Sequence, residues 1–187
     1  MTGAPPRAAE PGSVPAPAAG RPAAPPAAVP GTAPRLLAEG RWTAEEGPPP
    51  GVAGFVVSEF SPAIAAAADR CLRRHYGEPP GSAADTVAVL LISAEGDTGT
   101  AKAVADALDG GRRVQPLLFF QSNPNAVLGH ISSRWNLTGP VVALGAGHGG
   151  PAEEVALLLE DGDADLVLVL SARPGSVTAG LYAARSP

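Results

Sequence analysis

The 187-residue chain has one cysteine (Cys71), one lysine (Lys102) and three histidines. A single cysteine excludes an internal disulfide, and so sparse a Cys/His set excludes the usual zinc clusters. No metal or other cofactor is expected. Net charge is −5 with a pI near 5.1, which excludes a global basic footprint for nucleic acid. No run reaches the roughly 18 apolar residues of a membrane span, and the N-terminus lacks the apolar stretch of a secretory signal. A soluble, cytoplasmic protein is expected. Nearly all the positive charge is arginine, a bias read here as nucleotide composition rather than function.

What is present divides the chain. The 45% hydrophobic content suits a folded domain, whereas 22 Pro and 23 Gly point to an extended portion as well. Residues 1–34 are Pro/Ala-rich with almost nothing large to bury, the composition of an extended, solvated tail. A proline-rich ligand for a partner is the less favoured reading. The stretch from Arg35 to Gly51 reads as loose, with Trp42 anchoring it to the folded part. The expected organisation is a tail at 1–50, a domain at 51–175 and a short C-terminal tail at 176–187.

Within the domain, "GVAGFVVSEF" reads as a short strand. "SPAIAAAADRCLRRHYG" reads as a helix with Ser61 as N-cap, Pro62 at the first helical position and Gly77 as stop. Ile64, Ala68, Cys71 and Leu72 share its inner face, so Cys71 is a small core residue. "TVAVLLIS" is a strand buried on both faces, followed by a helix closed by Gly110. "VQPLLFF" reads as a further strand or extended run. Asn123 then caps a helix opening at Pro124, with Val127, Leu128, Ile131 and Trp135 inward; Asn136 is suited to a left-handed end. "PVVALG" is a strand, "PAEEVALLLEDG" a helix and "ADLVLVLSA" a last buried strand. Strands alternating with helices predict an α/β fold with a mainly parallel sheet and flanking helices.

The loop "GAGHGG" between strand and helix carries the candidate chemistry. Gly145, Gly147 and Gly150 fit a dinucleotide fingerprint, and Arg173 stands where it could meet a 2′-phosphate. An NAD(P)-binding oxidoreductase is therefore an alternative. Against it, a single further strand is expected after the loop, too little for a nucleotide-binding sheet, and Glu153 and Glu154 in the next helical turn oppose a bound phosphate. His130 and Arg134 lie four apart and could grip an anion, but the preferred reading is a packed helix with polar flanks.

"FFQSNPNAVLGHISSRWNLTGPVV" resembles the β-ketoacyl synthases of fatty-acid and polyketide assembly, whose Gly-His helix precedes a Gly-Pro-started strand. "GDADLVLVL", "VAGFVVSEFSP" and "DTVAVLLISAEGDTGTAKAVADAL" resemble other segments of the same half, over residues 50–175. The likeness is closest to short, truncated synthase-like N-terminal proteins encoded near polyketide genes. It implies the first half of a thiolase-like αβαβα fold and an acyltransferase ancestry. The family's nucleophilic cysteine falls at or near His148, yet the loop holds no cysteine, serine or threonine. The resemblance also implies two histidines and a lysine from a second half. No histidine follows the loop, and the one lysine precedes it.

The resemblance thus implies a pseudoenzyme: an accessory or interaction subunit beside a full-length synthase or an acyl carrier protein, or a homodimer. A residual acyl-thioester transferase or hydrolase using His148 is the other enzymatic reading. That residue has no orienting carboxylate in sequence except Glu153 or Glu154. His130 matches the family's structural helix histidine.

Overall fold

A computed structural model describes residues 33–145 and 151–184. Ten regular elements alternate along it. They are β1 (Arg35–Thr43), α1 (Phe60–Tyr76), β2 (Val87–Ser93), α2 (Thr98–Asp109), α3 (Pro116–Ser122), α4 (Pro124–Trp135), β3 (Val141–Leu144), α5 (Pro151–Glu160), β4 (Leu166–Arg173) and β5 (Ser176–Ala183). The strands form one sheet in the order β1-β5-β4-β2-β3. Strands β2, β3 and β4 are mutually parallel, and β5 runs antiparallel to both β4 and β1. Four strands therefore share a direction, and the expected α/β architecture with a mainly parallel sheet is observed.

The period-2 alternation of strands sorts side chains onto two faces. On one face, Val87, Val89 and Leu91 of β2 join Leu168 and Leu170 of β4 and Leu181 of β5. They pack under Ile64, Leu72, Leu128, Ile131 and Trp135 from α1 and α4. On the other face, Ala88, Leu90, Val167 and Val169 pack against Val155 of α5. Because β2 and β4 serve both cores, they are apolar without a break from Val87 to Ile92 and from Leu166 to Leu170, as a doubly covered strand requires.

Glycine is required where backbones meet. A Cβ on Gly139 would lie 2.5 Å from the Val87 carbonyl carbon, and the Gly139 amide donates to Val87 O at 3.1 Å. Gly40 faces α1, where any Cβ would overlap the Ala67 carbonyl oxygen and the Cys71 amide.

Several expectations are corrected. The segment 52–59 is a turn, not a strand. Gly54 has φ 90°, the Phe55 amide donates to Val52 O, and neither Val56 nor Val57 is buried. Helix α1 begins at Phe60 with Glu59 as its N-cap residue, so Ser61 is not the cap. Ser58 Oγ accepts from the Ser61 amide at 3.0 Å instead, and Pro62 still lies in the first turn, where its missing N–H costs nothing.

"VQPLLFF" is not extended. Pro116 opens the helix α3, a contiguous apolar run being compatible with either state. The largest difference is at the ends. Residues 35–43 and 176–183 lie outside the expected 51–175 span, yet they are the strands β1 and β5, paired from Arg35↔Ala183 to Thr43↔Ser176. Pro174-Gly175, with Gly175 at φ 72°, turns β4 into β5.

Candidate functional site

Strands β1, β2, β3 and β4 all end on one edge, at Thr43, Ser93, Leu144 and Arg173. Ligands of open α/β sheets sit outside this carboxyl edge. The glycine loop leaves it from β3, and α5 begins at Pro151 with Glu153 and Glu154 in its first turn. Gly145 is described, whereas His148, Gly147 and Gly150 lie outside the described residues.

The dinucleotide alternative fails on topology. A Rossmann fingerprint joins two adjacent strands, but β2 lies between β3 and β4. Arg173 at the end of β4 is thus two strand spacings, about 10 Å, from the end of β3. It lines a cleft of about 410 Å³, with Trp42, Phe60, Ser93, Glu95 and Ser176. There the N-terminus of α2 is already neutralised. The buried Asp97 carboxylate accepts from the Thr100 amide at 3.0 Å and from Thr100 Oγ1 at 2.8 Å. With that cap in place, the helix end offers little to a further anion.

His130 and Arg134 border a second cleft of about 360 Å³, beside Val52, Asp69 and Trp135. Arg134 Nε donates to Asp69 Oδ1 at 3.2 Å, and Arg73 Nε donates to Asp69 Oδ2 at 2.7 Å. Arg134 is therefore committed to tying α4 to α1. The His130 ring stands edge-on to Phe55, 6.4 Å between centroids. Burial, and then the Arg134 charge, hold its pKa below the usual histidine value. This is the packed helix with polar flanks.

Cys71 is fully buried in α1. Desolvation pushes its thiol up to about 12, so it is no nucleophile. His75 packs edge-on against Tyr76. Among the described residues, no group of three His, Cys, Asp or Glu is placed to hold a metal, and no helix is long and apolar enough to cross a membrane.

Reading 114–120 as a strand concealed one surface. In α3, Leu117, Phe119 and Phe120 are exposed, and the side chain that is buried is Gln121. The sequence signal was a short apolar run directly after Arg112-Arg113.

No family model and no curated protein matches this sequence. Solved structures do match. One is a chain from the ketosynthase (ApeO) in complex with its chain length factor (ApeC) from Xenorhabdus doucetiae. Its TM-score is 0.59 at 15% identity, over 82% of this chain and 80% of that one. Another is the ishigamide ketosynthase/chain length factor, with TM-score 0.59 and 18% identity over 81% of this chain; the match spans 62% of that chain. At such identities the likeness establishes the fold, and the expected thiolase-like, ketosynthase-like architecture is observed.

Proposed function

We propose that this chain is a truncated β-ketoacyl synthase-like subunit of polyketide assembly, without condensing activity of its own, acting in the cytoplasm through contact with a full-length synthase. The observation that carries the reading is the ketosynthase/chain length factor likeness. In the Xenorhabdus match the shares covered are nearly equal, 82% and 80%, so that chain is of similar length to this one. The sequence of the glycine loop supports the same reading. Acyl transfer needs an activated nucleophile beside an oxyanion site, and residues 145–150 supply no thiol or hydroxyl.

A partner is also favoured physically. Among the described residues, strand β3 ends the sheet and pairs with β2 alone, and its Val141 is exposed. An open edge of this kind is a template for association. The full-length synthase is the first partner, an acyl carrier protein the second and a further copy of this chain the third.

The test is co-expression with a full-length ketosynthase, together with incubation of the purified chain alone with malonyl- and acyl-loaded carrier protein. The expected outcome is a stable complex with the synthase, and no covalent adduct by intact mass on the chain alone. His148→Ala should leave folding and association unchanged. Thioester turnover by the isolated chain, lost in H148A, would replace this proposal with the hydrolase or transferase reading.

A further inference from the structure

Helix α3 is packed inside out. A helix in a folded domain turns its apolar side chains inward and its polar ones to water. In "PLLFFQS", Phe119 is 59% exposed, Phe120 60% and Leu117 43%, whereas Gln121 is fully buried. Gln121 is held there by its Nε2, which donates to Gly54 O. That bond ties α3 to the 52–59 turn, where Val56 is 78% exposed. Two of the four phenylalanines in the chain stand in water on this one helix. Large aromatic side chains left exposed together mark contact surfaces.

Charge decides what covers them. From Gly110 through Ala152 there is no Asp or Glu, while Arg112, Arg113 and Arg134 fall within it. Those three positive charges, set against a net charge of −5, leave −8 for the rest of the chain. Arg134 is bound to Asp69. Arg112 and Arg113 lie exposed in the connector leading into α3, and among the described residues neither pairs with a carboxylate. Asp106 is taken by Lys102 at 2.7 Å, and Asp109 is the carboxylate next to the arginines in sequence. A second copy brings the same arginines, so a two-fold contact over this face sets like charges together.

We infer that α3, with the Arg112-Arg113 connector, is a docking surface for an acidic amphipathic helix of another protein. The phenylalanines take that helix's apolar side chains, and the arginines meet carboxylates at the rim. Charged rims of this kind set partner choice and association rate more than raw affinity. This assignment stands on the surface alone and survives or fails independently of the ketosynthase-like function.

The test uses the full chain and two labelled helical peptides with the same leucine face, one flanked by glutamates and the other by lysines. By fluorescence anisotropy at low salt, the glutamate peptide should bind at least tenfold more tightly than the lysine peptide. The paired change R112E and R113E should abolish or invert that preference. Phe119→Ser with Phe120→Ser should lose binding of either peptide with an unchanged thermal melt. The inference is overturned if both peptides bind equally, or if neither binds. It is also overturned if the chain instead floats with phosphatidylglycerol vesicles through Phe119 and Phe120, or if sedimentation shows a homodimer that the double serine variant dissolves.

Discussion

Helices α3 and α4 are consecutive, share Asn123 between them, and obey opposite rules. In α4, Val127, Leu128, Ile131 and Trp135 recur with helical spacing and are all buried. In α3 the apolar residues Leu117, Leu118, Phe119 and Phe120 are contiguous, so they radiate around less than two turns and cannot all face one core. Helix α4 is therefore an element the fold needs. Helix α3 is held in place by a buried glutamine, and its apolar side chains wait for another surface. The first is explained within the chain and the second only by what binds it.

Unequal mutational costs are the sharpest check on this contrast. Trp135→Ala should lower unfolding free energy by about 3–5 kcal/mol, whereas Phe119→Ala should cost about 0.5 kcal/mol or less, both read by urea denaturation. Similar losses at the two positions would break the comparison. At the end of the segment that α4 feeds into the sheet, Gly139→Ala should cost about 3 kcal/mol by prising β3 from β2. A wild-type-like melt would mean that the close approach to Val87 is not needed.

Between the helices, Asn123 Oδ1 accepts from the Asn125 amide at 2.9 Å. Asn123→Ala should cost about 1 kcal/mol, most of it recovered by Asn123→Asp. The smallest effect is the pH dependence that His130 brings to α4. Its pKa is lowered on folding, so the unfolded chain binds the proton more readily. Stability is full above about 6.5, the unfolded value, and declines as pH falls through it. His130→Gln should flatten urea midpoints measured from pH 8 to pH 5. An unchanged slope would show that the imidazole is as well solvated folded as unfolded.

Much of the scaffold was legible because local rules and tertiary packing agree there. Asn136 takes the left-handed conformation at φ 55° that its place after α4 anticipates. The continuous apolar run of β2 reports burial on both faces. Legibility failed where pairing is remote. Strand β1 joins β5 across almost the whole chain, and the small side chains of "SVTAGLYA" carry little alternation to announce it. The Pro174-Gly175 turn was the available local sign. For the candidate site, Arg173 could be read from sequence as a cofactor contact, but only strand order shows β2 standing between it and β3.

The sequence by itself determined the α/β class, the buried central strands, the capped α4 and the absence of cysteine, serine and threonine from the glycine loop. These follow from periodicity, cap chemistry and residue identity, all of which act over a few neighbours. Only the tertiary structure decided that both ends of the described chain are strands, that β2 parts Arg173 from the end of β3, and that α3 turns its phenylalanines outward. Strand neighbours and exposed faces arise from contacts between residues far apart in sequence, and no local pattern encodes which side of a short apolar run the rest of the fold will cover.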